Sequence, residues 1–242
     1  MRANFWQKYF IIIRSLWATI FVSCRILFVA MSDEKNARHK IDLLLRRWVK
    51  KILKIVKLTY TLHDPYNLQY EPNKVYIIMS NHCGHYDIPL ILEALPGSIR
   101  MITKKELFRV PLWGNAMQAA EFVSIDRENR RQAILDLQKA KEKMLGGVRI
   151  WIAPEGTRTR TGELQDFKKG GFMLALKTEA TIIPVTICGS GKVLPPKTWD
   201  FQIGLHADIH VQKPIDTTQY TIKDIDKLMQ LVRDSIKEKL PR

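Results

Sequence analysis

Residues 77–90, IIMSNHCGHYDIPL, pass directly from an uninterrupted apolar run into two histidines and an aspartate. The apolar run is short and rich in isoleucine, as in strands that are covered on both faces of a sheet. From Asp87 onward the apolar residues take helical spacing. The stretch therefore predicts a buried strand, a polar turn and a helix, with titratable groups at the carboxyl end of the strand.

The same pattern recurs along the chain and predicts the fold class. Short β-branched apolar runs lie at residues 75–79, 98–103, 122–125, 148–153 and 181–189. Segments with helical spacing lie between them, at residues 87–95, 111–120, 129–145 and 169–180. This alternation predicts an α/β fold with a mostly parallel central sheet and helices on both faces. We expect an edge strand at residues 205–215 and a closing amphipathic helix at residues 222–240.

The positive charge of the chain is concentrated near the N-terminus. The net charge is +15, and residues 1–58 carry 13 Lys and Arg against 3 Asp and Glu. Such a basic end indicates an anionic partner, either a lipid headgroup layer or nucleic acid. The three cysteines are widely spaced and the chain has no Cys/His ligand spacing, so neither a disulfide framework nor a zinc site is predicted. Such cysteine usage favours a reducing cytosolic environment.

Two N-terminal segments have the character of helices that contact a membrane. Residues 9–31 are apolar, but Arg14 and Arg25 leave only ten uncharged residues between them, short of the roughly 20 that a spanning helix needs. Residues 39–60 place an apolar stripe with Trp48 opposite a face of lysines and arginines, which is typical of a helix lying in a membrane interface. The alternative for this second segment is a helix packed on the protein's own core.

We therefore expect a two-helix membrane-surface anchor at residues 1–60, followed by an α/β domain at residues 61–242. A single span through residues 9–31 is the alternative for the first helix. The Trp-bearing apolar stripe argues against nucleic acid as the partner, because that surface would have nothing to contact there. The expected location is the cytoplasmic face of the cell (inner) membrane, with an anionic phospholipid surface as partner.

His82 and Asp87 are the first candidates for chemistry. On one helix they would differ by about 500° and point apart. If His82 lies in a strand-to-helix turn and Asp87 opens the helix, the two side chains can meet. A carboxylate bonded to one ring nitrogen fixes the imidazole tautomer and leaves the other nitrogen free as a base. The alternative is a purely structural role, in which the histidine forms hydrogen bonds within a turn and the aspartate caps a helix.

Two other predicted strands also end in polar clusters. After residues 148–153 come Pro154, Glu155, Gly156, Thr157 and Arg158. Gly156 permits a close backbone approach, Thr157 offers a hydroxyl, and Arg158 can bind a phosphate with two hydrogen bonds. Similarly, residues 122–125 lead into Asp126 and Arg127. Because ligands bind at the carboxyl ends of strands in such sheets, the three clusters predict a shared site.

The order of these clusters resembles the glycerolipid acyltransferase family. It is similar in particular to the PlsC-type 1-acyl-sn-glycerol-3-phosphate acyltransferases. The matching segments, which lie within about residues 70–195, are N-H-x4-D from Asn81 to Asp87, SIDR from Ser124 to Arg127, EGTR from Glu155 to Arg158, IIPVTI around Pro184, KKELFRVPLWG from Lys104 to Gly114, and FKKG from Phe167 to Gly170. Each segment alone is a weak signal, but the ordered set is specific.

The resemblance implies an acyl transfer at these residues. It makes His82 the general base on the acceptor's hydroxyl, Asp87 the residue that orients it, and acyl-CoA or acyl carrier protein the thioester donor. The acceptor would be 1-acylglycerol-3-phosphate (lysophosphatidic acid) and the product phosphatidic acid. No metal and no bound cofactor are implied.

The resemblance also implies how the lipid substrates are held. The glycerol phosphate would lie against Glu155, Gly156, Thr157 and Arg158. Lys105 and Arg127 would assist with the phosphate, and the strand of Pro184 would line the acyl side. Two functional alternatives remain at this point, namely the same chemistry on another lysolipid, and a non-catalytic basic protein that binds membranes.

Overall fold

The structure, a computed structural model, describes residues 1–32, 36–71, 73–126, 128–159 and 162–241. The α-helices are α1 (Phe5–Ser32), α2 (Ala37–Ile55), α3 (Asp87–Ala94), α4 (Trp113–Ala119), α5 (Arg130–Leu145), α6 (Lys169–Lys177) and α7 (Ile225–Glu238). The strands are β1 (Thr59–His63), β2 (Tyr76–Ser80), β3 (Ile99–Lys104), β4 (Val123–Ile125), β5 (Arg149–Ile152), β6 (Thr181–Cys188), β7 (His206–Val211) and β8 (Ile215–Asp216).

The strands form one sheet in the order β1-β7-β6-β2-β5-β3-β4, with β8 paired to β6. The pairs β1–β7, β6–β2, β2–β5, β5–β3 and β3–β4 are parallel. Among the strands of the described residues, the antiparallel pairs are β6 with β7 and β6 with β8. The predicted mostly parallel sheet is therefore confirmed, and its central strand is β2, the strand of the opening stretch.

Helices cover both faces of the sheet, as predicted. On β2, Tyr76 and Ile78 face the core shared with α1, α2, α3 and α4, whereas Ile77 and Met79 face the core shared with α5, α6 and α7. Neighbouring side chains on a strand point to opposite faces. This alternation explains why β2 is apolar at every position except Ser80 at its end, although only one residue in two faces each core.

The edge of the sheet differs from the prediction. Residues 205–215 were expected to form an edge strand, but β7 lies between β6 and β1 because β1 pairs with it in parallel. β1 begins at Thr59, inside the segment of residues 39–60 that the sequence pattern placed in the second helix, and that helix in fact ends at Ile55. Four of its five residues are exposed, so β1 lacks the apolar run that marks the other strands. The boundary expected between residues 60 and 61 falls inside β1.

The apolar stripe of the second N-terminal helix packs against the body of the protein and not against a membrane. The predicted stripe faces the core beneath the sheet: four of its residues are at most 7% exposed, namely Ile41, Leu44, Leu45 and Val56, and the other three, Trp48, Ile52 and Ile55, are partly buried against that core. The prediction of α2 as an interface helix is thus wrong, and the alternative of a core helix is right. The pattern shows that one face of α2 is buried, but it does not show against what. The exposed face of α2 carries Arg47, Lys51 and Lys54.

α1 keeps a large apolar surface exposed. One narrow stripe, which includes Ile11, Ala18, Val22 and Ile26, is at most 5% exposed, and the helix packs on α2 and α4. Its N-terminal end is held to the body by the ion pairs of Arg2 and Lys8 with Asp200, at 2.6 and 2.9 Å. By length and composition α1 could cross a membrane.

Candidate active site

His82 and Asp87 meet at the carboxyl end of β2, as the sequence predicts. The Nδ1 of His82 lies 2.6 Å from the Oδ2 of Asp87. β2 ends at Ser80 and α3 begins at Asp87, so the intervening turn brings the two side chains together. The His82 side chain is 17% exposed and Asp87 is fully buried. The arrangement leaves the Nε2 of His82 without a hydrogen-bond partner among the described residues.

The buried carboxylate of Asp87 is held by four donors. Besides His82, the backbone amides of Cys83 and Gly84 donate to Oδ2 at 2.8 and 2.9 Å. The hydroxyl of Ser190 donates to Oδ1 in a short hydrogen bond. A buried charge is costly unless such donors surround it. Ser190 was not predicted, and the sequence signal for it was only its position just after β6, at the same edge of the sheet.

Asn81 extends the sheet beyond the end of β2. Its side-chain Nδ2 donates to the carbonyl oxygen of Ile187, and its Oδ1 accepts from the backbone amide of Ile187, each at 2.8 Å. The amide side chain thus pairs with β6 as a backbone unit would. Sequence reasoning noted Asn81 only as part of a matching segment. Its side chain fixes the start of the turn that carries His82.

Glu155 connects the loop after β5 to the loop after β2. Its Oε1 accepts from the backbone amide of His82 at 2.8 Å, and its Oε2 accepts from the backbone amide of Gln165 at 2.9 Å. Only 2% of Glu155 is exposed. Burial raises the pKa of Glu155, and the two amide hydrogen bonds oppose this shift. In this arrangement Glu155 positions the base, and its predicted contact with substrate stays a prediction.

The imidazole of His82 packs edge-on against Trp151 of β5, with ring centroids 5.6 Å apart at 89°. The indole Nε1 of Trp151 donates to the hydroxyl of Ser80 at 2.9 Å. The ring of His82 is therefore held by a carboxylate at Nδ1 and by an aromatic edge contact. Trp151 was read from the sequence only as a strand residue.

Arg158 lies in the same region with an unused donor. Its Nη1 is buried and has no hydrogen-bond partner among the described residues. A buried guanidinium donor of this kind fits an anionic oxygen of a ligand. Gly156 takes a φ of +77°, which disfavours a side chain at that turn. Thr157 is exposed, and its hydroxyl donates to the side-chain Oε1 of Gln165 at 3.3 Å.

His85 is a neighbour of this cluster. Partial burial of its ring, and then the charges of Arg158 and His82, lower the pKa of His85 to about 4. The imidazole of His85 is therefore neutral at neutral pH, and the residue as a whole is partly exposed. His85 lies within the segment N-H-x4-D but outside its fixed positions, so it was interpreted as a loop residue.

Cys83 adjoins the base but is not an activated nucleophile. Burial, followed by the charge of Asp87, raises the pKa of the Cys83 thiol to about 12. Its Sγ accepts from the Nδ2 of Asn81 at 3.3 Å. The thiolate is the reactive form of cysteine, so this thiol is inert near neutral pH.

The remaining predicted site residues are Lys105, Arg127 and Pro184. Lys105 follows β3 and forms an ion pair with Asp126 at 2.6 Å, and its hydrogen bond lowers the pKa of Asp126. Arg127 lies outside the described residues. Pro184 is buried in the middle of β6, where its carbonyl accepts from the amide of Gln212 at 2.9 Å. The roles predicted for these three residues in binding substrate stay predictions.

A proline is tolerated in β6 because of where the neighbouring strand breaks. The outer side of β6 pairs with β8 at Thr181 and Ile182 and with β7 from Val185 onward. Pro184 lies between these two pairings, where a missing backbone N–H removes no ladder hydrogen bond.

Comparisons with known proteins agree with the geometry. A family model described as Acyltransferase matches residues 60–188. The 1-acyl-sn-glycerol-3-phosphate acyltransferase alpha of Homo sapiens is 31% identical over 168 residues, which is 69% of this chain and 59% of that protein. The 1-acyl-sn-glycerol-3-phosphate acyltransferase of Saccharomyces cerevisiae is 34% identical over 170 residues, 69% of this chain and 56% of that protein. The enzyme of that name from Borreliella burgdorferi is 32% identical over 164 residues, 68% of this chain and 65% of that protein.

The match thus spans less than two thirds of the length of each of these relatives. Among solved structures, the crystal structure of the 1-acyl-sn-glycerophosphate (LPA) acyltransferase, PlsC, from Thermotoga maritima superposes with a TM-score of 0.82 at 24% identity. That superposition covers 99% of this chain and 97% of the other, and it shows a shared fold. The matched residues 60–188 contain the His82–Asp87 pair, Glu155 and Arg158. The chain belongs to the acyltransferase family.

Proposed function

We propose that this protein transfers a fatty acyl group from acyl-CoA or acyl carrier protein to the free hydroxyl of 1-acylglycerol-3-phosphate. The product is phosphatidic acid, an intermediate of phospholipid synthesis. The observation that carries the proposal is the His82–Asp87 pair, in which Nδ1 is held at 2.6 Å from the carboxylate while Nε2 has no hydrogen-bond partner in the described part of the chain. The names of the relatives, 1-acyl-sn-glycerol-3-phosphate acyltransferases, support lysophosphatidic acid as the acceptor.

The proposed reaction needs one base and no covalent enzyme intermediate. The Nε2 of His82 removes the proton from the acceptor hydroxyl as its oxygen attacks the thioester carbonyl carbon. The tetrahedral intermediate collapses, the C–S bond breaks, and the leaving thiolate takes the proton from the imidazolium. The ionised Asp87 stabilises the imidazolium while it exists. The thioester supplies the activated acyl group, so the step requires no metal or cofactor.

Arg158 is proposed to bind the phosphate of the acceptor. Its buried Nη1 has no partner among the described residues, and its charge acts on His85 beside the base. A phosphate held there would bring the hydroxyl of the glycerol backbone toward His82. Gly156 and Thr157 would border the glycerol, and Lys105 and Arg127 would add positive charge. Pro184 would line the acyl side from within β6.

We propose further that α1 holds the protein on an anionic phospholipid membrane. Its outer face exposes large side chains that are more than half exposed, namely Phe5, Trp6, Tyr9, Phe10, Leu16, Trp17, Phe21 and Phe28. Aromatic residues of this kind favour the membrane interface. The basic face of α2 adds attraction to anionic headgroups.

The packing of α1 favours a helix that lies flat over one that spans. Its buried stripe runs from Ile11 to Ile26 along the body of the protein, and Arg2 and Lys8 tie its start to Asp200. The indole of Trp48 in α2 donates to the hydroxyl of Thr19 at 3.2 Å. A helix attached to a polar body along this length would have to carry that body into the bilayer in order to cross it. The proposed location is the cytoplasmic face of the inner membrane, where both lipid substrates are reached.

The test is an acceptor and donor panel with the purified full-length protein. Labelled acyl-CoA and acyl carrier protein are supplied with lysophosphatidic acid, lysophosphatidylcholine or lysophosphatidylglycerol in vesicles. We expect phosphatidic acid as the main product, with the rate abolished in His82→Ala. A preference for another lysolipid would overturn the acceptor, and absence of turnover with every pair would overturn the enzyme assignment.

A further inference from the structure

A cluster of histidines lies at the sheet edge, apart from the candidate active site. The sequence HADIH places His206, Asp208 and His210 at alternate positions of β7, so their side chains share one face. The parallel register of β1 puts His63 opposite His210. Because β1 and β7 are far apart in sequence, the local sequence does not show that His63 lies beside Asp208 and His210.

The side chains of His63, Asp208 and His210 are in mutual contact. The Nε2 of His63 lies 2.8 Å from the Oδ1 of Asp208. The rings of His63 and His210 stack with centroids 4.3 Å apart and an interplanar angle of 8°. One ligand atom from each of the three residues lies within 4.8 Å of the other two.

Stability of the sheet edge does not by itself explain this arrangement. The side chains of His63 and Asp208 are 44% and 43% exposed, and ion pairs at that exposure contribute about 0–1 kcal/mol. The cluster brings two imidazole rings and one carboxylate together at one partly exposed point of the sheet edge. A third histidine, His206, uses both ring nitrogens in hydrogen bonds with the hydroxyls of Thr59 and Thr61, at 2.8 and 3.0 Å, and its Nε2 lies 4.0 Å from the Oδ1 of Asp208.

We propose that His63, Asp208 and His210 bind a divalent transition-metal ion of the Zn²⁺ type. Two imidazole nitrogens and one carboxylate oxygen form a donor set that suits Zn²⁺ and not Mg²⁺ or Ca²⁺, which prefer oxygen alone. In a tetrahedral site with bonds near 2.1 Å the ligand atoms lie about 3.4 Å apart. Side-chain rotations that unstack the two rings, and that bring the ligand atoms from within 4.8 Å to about 3.4 Å of one another, would convert the present cluster into a three-ligand site with water as the fourth ligand.

The metal would join β1 to β7 at the position where the sheet ends. β1 forms its strand pairing with β7 alone in the described sheet, so a bridge between these strands would hold the edge of the sheet. β6 lies between the cluster, which is on β1 and β7, and β2, the strand that leads to His82. The expected role is therefore structural, and it is independent of the proposed acyl transfer.

The experiment titrates the detergent-solubilised, untagged, chelator-treated full-length protein with Zn²⁺ alone against a chromophoric chelator. We expect one Zn²⁺ per chain in the wild type and affinity weakened about tenfold or more in His63→Gln, Asp208→Asn and His210→Gln. His39→Gln, which removes an exposed histidine of α2, is the matched control and retains wild-type affinity. At about a hundredfold excess over the wild-type Kd, Zn²⁺ should raise the wild-type Tm by about 5–10 °C and that of His63→Gln by about half as much or less.

A second measurement does not depend on any variant. Co²⁺ in place of Zn²⁺ gives strong visible absorption when it is four- or five-coordinate with nitrogen and oxygen ligands, and only weak absorption when hydrated. Strong absorption at one Co²⁺ per chain supports the site. Weak absorption, or Zn²⁺ affinity that is the same in all four variants and the wild type, overturns it.

Discussion

The Oε1 of Glu155 accepts a hydrogen bond from the backbone amide of His82 at 2.8 Å. The two residues belong to the loops that follow β5 and β2, which are neighbours in the sheet. The candidate base is thus positioned from two sides, by Asp87 within its own loop and by Glu155 from the next strand. Because Glu155 is buried, this contact is not replaced by water when it is lost.

Glu155→Gln tests that positioning. A glutamine side chain offers one acceptor oxygen, so its NH₂ group would face one of the two amide donors that the carboxylate now satisfies. A buried unsatisfied group costs about 1–3 kcal/mol, and we expect kcat to fall about tenfold to hundredfold with a smaller change in KM. Glu142→Gln, at an exposed position of α5, is the control. Unchanged kcat in a folded Glu155→Gln protein would contradict the positioning role.

His82→Ala and His85→Asn separate the two histidines of the first loop. Loss of a general base lowers the rate by about 10²–10⁴-fold, and we expect this for His82→Ala while its circular dichroism and vesicle binding persist. The pKa of His85 is lowered to about 4, so His85 stays neutral as the pH falls from 8 to 5. His85→Asn should therefore leave the shape of the pH–rate profile in that range unchanged. A displaced acid limb in His85→Asn would show that His85 titrates with the reaction.

Arg158→Ala should discriminate between acceptors. Charge-assisted hydrogen bonds contribute about 1.5–3 kcal/mol, so kcat/KM for lysophosphatidic acid should fall about tenfold to hundredfold, mainly through KM. The uncharged acceptor 1-acylglycerol, which lacks the phosphate, should be affected little. Arg131→Ala removes an exposed arginine of α5 and serves as the control. Equal losses on both acceptors would show that Arg158 does not recognise the phosphate.

Cys83→Ala should retain activity within about threefold of the wild type, because a thiol with a pKa near 12 supplies almost no thiolate at pH 7.5. In a Cys24→Ser, Cys188→Ser background, treatment with N-ethylmaleimide at pH 7.5 should leave turnover largely intact. Rapid stoichiometric inactivation of that protein, together with an inactive Cys83→Ala variant, would instead indicate covalent catalysis by the thiol.

Phe10→Glu combined with Trp17→Glu should release the protein from vesicles. Each large apolar side chain that leaves the interface costs about 1.5–3 kcal/mol, so binding to anionic vesicles should weaken about hundredfold or more in a sedimentation assay. Activity on a short-chain acceptor dissolved in water should persist. Ile134→Glu, which changes a residue of α5 that is 53% exposed, is the control. Wild-type vesicle binding by the double variant would exclude α1 as the membrane contact.

The sequence by itself determined the body of the fold. Continuous apolar runs followed by helical spacing predicted β2 to β6 and the helices between them, and all five strands are present. Strands of a parallel sheet are buried on both faces, so they are apolar at nearly every position and are recognisable in the sequence. The same local pattern placed His82 and Asp87 at a strand-to-helix turn, where they do meet.

Only the tertiary structure decided what each buried face contacts. The stripe of α2 has the same period whether it faces a bilayer or a core, and its burial against α1, α3 and the sheet core was needed to choose between them. β1 is mostly exposed and takes its conformation from its pairing with β7. Its own sequence therefore lacks the apolar run that predicts the other strands. The contacts of Glu155 with His82, of Ser190 with Asp87, and of His63 with Asp208 join residues 73, 103 and 145 positions apart. Periodicity reports that a side chain is buried or exposed, whereas partners at such separations are fixed by strand order and register, which depend on the packing of the whole sheet.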